Sequence, residues 1–295
     1  MAMNQRTMRP KKAAAAAVTY HAEALAWKTA AEANGGTVST PTLAAVSTFC
    51  TAIDAAGIRD RFLRLNLLCG ANLAAARTPL YRGASNAGTQ YGGATDTNLG
   101  PFVSADYSEA TGLQGNGTSK ALNTGLTIGT MATFGAEYNN CHISVYRRDT
   151  AIGPDFGGAT YWGNNNGCMI DTTTGWAGNP YFHAGSGNMG DGLEVYGSVG
   201  TGFHLADGGA SVYLRNGADV TTSATSNGGV SFSGDTLPLY AGGVYSDNED
   251  LSEGSSYSAG IMAAYSVGKA FTSSAQRTAF YNAMLALQTA LGRNV

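Results

Sequence analysis

SVYLRNG at residues 211–217, LPLYAGG at 237–243 and YSAGIMAAYSVGKAFTSS at 257–274 spell strand, turn, strand, strand and helix cap in close succession. Val212 and Leu214 lead into Asn216-Gly217, the signal of a two-residue hairpin turn, because Asn and Gly both tolerate the positive φ such a turn requires. Leu237, Leu239 and Ala241 alternate with Pro238, Tyr240 and Gly242, which turns one side of that strand inward. Residues 258–267 read as a last strand. Thr272 or Ser273 then caps a helix from about 274 to 291, with Phe280, Met284, Leu287 and Leu291 as its apolar stripe and Gly292 as its stop.

Upstream, His142, Ser144 and Tyr146 alternate with Ile143, Val145 and Arg147. The stretches 167–171, 181–184, 193–196 and 202–205 are further short strand candidates, separated by Gly, Asn and Asp at the spacing of a sandwich. The N-terminal quarter has a different period. Residues 11–34 predict one Ala-rich helix ended by Gly35-Gly36, and Thr40 as cap with Pro41 in the first turn opens a second that carries Leu43, Val46, Phe49, Cys50 and Ile53 to Gly57. Phe62, Leu65 and Leu68 fit a further helical turn that Gly70 interrupts, so 59–76 is expected as short helices joined by a loop. The expected organisation is a basic arm at 1–12, a helical segment at 13–77, a linker at 78–100 and a sandwich with terminal helix at 101–295.

The order of an NG hairpin, an LPLYAGG strand and a G-I-M-A-A strand resembles the laminin-G-like or concanavalin-A-like jelly roll. DYSEATGLQGNGTSKALNTGL at 106–126 is similar to the opening strand pair of such domains in bacteriophage virion proteins. The resemblance implies a mainly β fold, a two-sheet antiparallel jelly-roll sandwich with an N-terminal helical segment and a C-terminal helix. It also implies a structural, non-enzymatic virion role in a tail, a fibre or a capsid decoration. The alternatives are a secreted or surface carbohydrate-binding module and a diverged glycoside hydrolase.

Composition bounds these readings. Gly contributes 41 of 295 residues, about twice ordinary usage, without the period of three that collagen needs. Charged residues make up 13%, against roughly a quarter in typical soluble domains, so the surface suits an assembly or an extracellular life. Other virion subunits, further copies of the chain and a host-surface glycan are the expected partners. A net charge of −3 gives no reason to invoke nucleic acid, and no run of 18 apolar residues exists to span a membrane. The basic start, Arg6, Arg9, Lys11 and Lys12, imitates a signal peptide, but its apolar run is short, mostly Ala and broken by Thr19-Tyr20-His21. It is read as an assembly arm that docks on a neighbouring subunit, with a tail of no role as the alternative.

Candidate chemistry is sparse. A glycosidase needs two carboxylates across the sugar, and the E-x-D-x-x-E string of the glucanase branch is absent. Asp191 with Glu194, and Asp247 with Asp250 and Glu253, stand in glycine-rich or polar surroundings where a solvated turn is the expectation. Asp247, Asp250 and Glu253 are also the candidate ligands for calcium, which takes six to eight oxygens, although they follow no EF-hand spacing. Tyr161, Trp162, Asn164, Trp176, Asn179 and Tyr181 offer aromatic faces and amides to a sugar; the competing expectation is that the tryptophans plug the core and the asparagines serve turns. Cys50, Cys69, Cys141 and Cys168 lack zinc-ligand spacing and read as buried thiols, with a Cys141–Cys168 bridge dependent on how close the strands bring them. The histidines His21, His142, His183 and His204 show no ligand spacing.

Overall fold

The computed structural model describes residues 18–159, 166–173, 180–186, 192–227, 231–246 and 256–295. In chain order the elements begin with α1 (Ala22–Ala33), α2 (Thr40–Ala55), β1 (Phe62–Asn66), α3 (Leu73–Ala76), β2 (Thr97–Leu99), β3 (Tyr107–Ser108), β4 (Gly112–Gln114), β5 (Ala121–Thr127), α4 (Ile128–Phe134) and β6 (Cys141–Arg147). They continue with β7 (Phe156–Ala159), β8 (Asn166–Asp171), β9 (Tyr181–Ser186), β10 (Gly192–Tyr196), β11 (Gly202–Asp207), β12 (Val212–Arg215), β13 (Ala218–Asp219) and β14 (Ser223–Asn227). The last are β15 (Pro238–Ala241), β16 (Gly243–Ser246), β17 (Ser256–Tyr257), β18 (Ile261–Lys269) and α5 (Ser274–Ala290).

The strands form two sheets, one of eight strands in the order β13-β12-β11-β6-β18-β4-β3 with β1 beside β18, the other of ten in the order β14-β10-β9-β8-β7-β15-β5-β2 with β16 and β17 attached. Pairing is antiparallel except between β16 and β7. The fold is thus a two-sheet antiparallel β-sandwich with helices at both ends of the sequence, as expected. Asn216 and Gly217 adopt φ of 50° and 79°, the turn their residue types favour, and join β12 to β13.

A third layer explains the burial pattern. Ile143, Val145, Tyr265 and Val267 face the ten-stranded sheet in one core, whereas Tyr146, Phe203, Leu205 and Ala263 face α2 and α5 in a second. The eight-stranded sheet is therefore covered on both faces, and β6 is buried along its whole length. Its polar side chains are paired: His142 contacts the Lys269 carbonyl through Nδ1 at 2.7 Å and Ser266 Oγ through Nε2 at 3.0 Å, and Ser144 reaches Ser266 at 2.7 Å. Burial holds His142 neutral, its pKa lowered to about 4. Phe280, Met284 and Leu287 of α5 lie in the helix-side core, so the terminal helix packs on both the sandwich and the N-terminal helices.

Three local expectations are corrected. Within the described residues α1 starts only at Ala22, because His21 is the N-cap and its Nδ1 accepts the Glu23 N–H at 3.2 Å. Ser39 rather than Thr40 caps α2. Phe62 and Leu65 belong to a strand, β1, paired with the end of β18 rather than to a helical turn. Tertiary pairing overrides the i, i+3 spacing there: Phe62 packs among Phe271, Phe280 and His142, and Gly268 lets the two backbones approach. α1 finds its partners within the chain, with Ala24, Trp27 and Ala31 buried and the Trp27 indole N–H donating to the Thr78 carbonyl at 2.9 Å.

Buried charge anchors the ends of the sandwich. Arg64 donates to Asp96 through Nε (3.0 Å) and Nη2 (2.6 Å), and Tyr265 and Asn66 donate to the same carboxylate at 2.7 Å each. Arg147 pairs with Asp155, which also accepts from the Thr172 hydroxyl at 2.6 Å. Arg293, fully buried, donates to the carbonyls of Leu67, Leu68 and Ala263 and so ties the C-terminal end to the loop after β1.

Candidate functional site on the outer sheet face

On β8, β9 and β10, residues Cys168, Ile170, Phe182, Ala184, Leu193 and Val195 point into the core between the sheets. Strand alternation puts Met169, Tyr181, His183, Glu194 and Tyr196 on the opposite face. Register brings them together: Met169 stands across from His183 and His183 from Glu194, while Asp171 stands across from Tyr181 and Tyr181 from Tyr196. The next row on this face carries glycines on all three strands, with Gly167 opposite Gly185 and Gly192 at the start of β10. Gly157 of β7 pairs with Met169 at a φ of +139°, and a Cβ there would sit 2.3 Å from the Cys168 carbonyl oxygen.

The polar groups of this face are held in place. Tyr196 donates its hydroxyl to Glu194 Oε2 at 3.0 Å, and Tyr181 contacts the Met169 sulfur at 3.3 Å. The two tyrosine rings stack with centroids 6.1 Å apart and planes 27° apart, and Met169, Tyr181 and Val244 form an apolar cluster around them. Partial burial and the Glu194 carboxylate push the Tyr196 hydroxyl up to about 12, so at neutral pH it remains a donor. Glu194 Oε1 lies 3.8 Å from His183 Nδ1. That separation is too long for a hydrogen bond, and Nδ1 is buried without a hydrogen-bond partner while the His183 side chain is only 8% exposed. A carboxylate, a phenol donor, an imidazole nitrogen with unused capacity, stacked aromatic rings and a glycine floor are the groups that receive a polyhydroxylated ring.

Of the candidates read from sequence, Tyr181 is on this face. Tyr161, Trp162, Asn164, Trp176 and Asn179 lie outside the described residues, as do Asp247, Asp250 and Glu253 and the arm residues Arg6, Arg9, Lys11 and Lys12. Glu194 is not in a solvated turn. It sits within β10 and is buried at 7% exposure, because Leu193 and Val195 on either side anchor the strand in the core. Alternation in Y-F-H-A (181–184) and L-E-V-Y (193–196) was the signal for both His183 and Glu194: two neighbouring strands of opposite direction place the middle polar residues side by side.

Two other clusters lack this capacity. His21, Glu23 and Cys50 bring donor atoms within 4.8 Å of one another, but His21 uses Nδ1 as a helix cap and Nε2 on Asp54, Glu23 binds Arg59, and burial pushes the Cys50 thiol up to about 12. A groove of about 270 Å³ between α2 and α5 is lined by Ala44, Ala52, Ala283 and Ala286 and presents no charged group to orient a ligand.

No protein-family model and no curated protein matches the chain. Among solved structures it is similar to domain 4 of an extracellular GH43 arabinanase from Geobacillus stearothermophilus in complex with arabinotriose, at 16% identity and TM-score 0.35, over 56% of this chain and 73% of that one. It is also similar to a mutant Trypanosoma rangeli sialidase displaying trans-sialidase activity, at 13% identity and TM-score 0.41, over 84% of this chain and 39% of that one. A third is tailspike protein 2 of an Escherichia coli O157:H7 bacteriophage, at 16% identity and TM-score 0.31, over 58% of this chain and 24% of that one. At these identities and scores the likenesses assign neither substrate nor role. They do correct one expectation, that the chain is not an enzyme: two of these structures, and a further GH54 arabinofuranosidase, come from proteins named as enzymes. Glu194, buried within β10, is also not the solvated turn residue on which that expectation partly rested.

Proposed function

We propose that the chain is a carbohydrate-recognising β-sandwich carried on a virion, in a tail, a fibre or a capsid decoration, and that the face built by Tyr181, His183, Glu194 and Tyr196 receives the glycan. The observation that carries the reading is the buried His183–Glu194 cross-strand pair beside two stacked tyrosines and a row of glycines. Saccharides bind by stacking an apolar ring face on aromatic rings while their hydroxyls exchange hydrogen bonds with fixed polar groups. Both needs are met within three adjacent strands. The virion setting rests on the laminin-G-like strand order and on the 13% charge, which suits burial against other virion subunits and further copies of the chain.

A glycan array probed with the intact chain and with the Tyr181→Ala and Glu194→Gln variants tests the reading. Retention of at least one class of oligosaccharide, lost in both variants while their melting temperatures stay within a few degrees of the parent, is the expected result. No retained glycan, or retention equal in all three proteins, overturns it. Incubation of the retained oligosaccharide with the chain, followed by mass analysis, reports on turnover in the same series.

A further inference from the structure

Charge is divided unevenly along the chain. Residues 149–268 hold twelve Asp or Glu and one Lys or Arg, Arg215, whereas the remaining residues hold eight acidic and sixteen basic ones. The acidic stretch supplies every strand of the larger sheet except β2 and β5. Among the described residues of its ten strands, Asp171 and Glu194 are the charged ones, and they stand on β8 and β10, two strands of the outer face. Arg215 belongs to β12 of the other sheet and donates to the carbonyls of Ser198 and Val199. Arg147, also of that sheet, is taken up by Asp155 and Asp149.

The face itself has the groups of an ammonium receptor. Glu194 Oε1 and His183 Nδ1 stand 3.8 Å apart with no hydrogen bond between them, and the His183 side chain is 8% exposed with that nitrogen buried and unpartnered. A neutral imidazole protonated on Nε2 offers Nδ1 as an acceptor, so two acceptors flank a gap that an N–H donor group bridges. The Tyr181 and Tyr196 rings lie stacked on the same face, and the faces of such rings attract cations. A carboxylated or sulfated sugar would instead bring its anion to Glu194, with no guanidinium or ammonium on these strands to receive it.

We propose that the glycan class of the outer face is an amino sugar: a saccharide bearing a free amine is bound in preference to its N-acetylated form, and acidic saccharides are refused. The inference rests on the outer face being the glycan site. The ammonium donates to Glu194 and His183 while the apolar face of the sugar ring lies on the tyrosines. The acidic stretch around the site adds a longer-range attraction, which salt screens.

The test is isothermal titration calorimetry of the intact chain with three tetrasaccharides, one of glucosamine, one of N-acetylglucosamine and one of galacturonic acid, at low and at high salt. The glucosamine oligomer is expected to bind on the order of tenfold tighter than its N-acetylated form. That margin should shrink as salt rises, and the acidic oligomer should give no binding heat. Glu194→Gln, with its fold checked by melting temperature, should remove the margin; the comparison of sugars and of salt on the parent chain stands without the variant. Equal or tighter binding of the N-acetylated or acidic oligomer, a margin indifferent to salt or kept in Glu194→Gln, or no binding of the glucosamine oligomer overturns the amine preference. The glycan reading is judged separately: an oligosaccharide retained on the array and lost in Tyr181→Ala upholds the face even where the amine preference fails, whereas no retained oligosaccharide removes both.

Discussion

Replacing Asp96 by Ala removes the shared acceptor of a fully buried charge network. The carboxylate accepts from Arg64 twice, from Asn66 and from Tyr265, at 2.6 to 3.0 Å, and both charged side chains have no exposure. Burial alone would depress the Arg64 pKa, but Asp96 and Tyr265 more than offset it and hold the guanidinium above its ordinary value. Without Asp96 the cation keeps only the Tyr91 and Gly93 carbonyls and the Tyr265 oxygen. Breaking a buried pair in this way costs about 3–5 kcal/mol, and the stranded Asn66 and Tyr265 donors add to it, at about 1 kcal/mol or more each and not fully additively. The expected loss is about 4–6 kcal/mol. Asp96→Asn, which keeps the shape and one acceptor, should lose roughly half as much. Urea unfolding followed by circular dichroism and by tryptophan fluorescence measures both. A loss below about 1 kcal/mol for Asp96→Ala refutes the reasoning, since that is the scale of a solvated surface pair.

Further outcomes follow from single sites. Burial lowers His142 to about 4 and His204 to about 3, so below pH ~6.5 the unfolded chain binds protons that the folded chain refuses. Stability is then full above that pH and falls as pH drops toward 4, by up to about 1.4 kcal/mol per pH unit for each histidine. Asp171 and Asp207, raised by burial, work the opposite way only at the lower end, and flat urea midpoints between pH 6.5 and 5 would contradict the assignment. Gly268→Ala sets a Cβ 1.9 Å from the Arg61 carbonyl oxygen where β1 meets β18; a loss of at least about 2 kcal/mol is expected in thermal melts, and a neutral result would place β1 elsewhere. Asn216→Ala forces Ala to a φ of 50° and removes the acceptor of the Phe203 N–H at 2.8 Å, for an expected loss of about 1–2 kcal/mol in the same melts.

The sandwich was legible where local chemistry and tertiary structure agree. Asn216-Gly217 requires the turn it forms, and Leu239 and Ala241 alternate toward the core they fill. Legibility failed where a distant partner decided the outcome. Phe62 and Leu65 show helical spacing, yet β18, some two hundred residues downstream, claims them as a strand. The site shows the same limit in another form: Glu194 has glycines and an aspartate around it and reads as a turn, and only the pairing of β9 with β10 reveals that it is buried against His183. Sequence supplied the two alternating strands, but which residues face one another is a matter of register.

The most direct test of the outer face as the glycan site is a crystal structure of the chain soaked with the oligosaccharide that the array retains. The account predicts sugar density over Tyr181 and Tyr196, with hydroxyls within hydrogen-bond distance of Glu194 and His183. Density at any other surface, with these four side chains untouched, would contradict it.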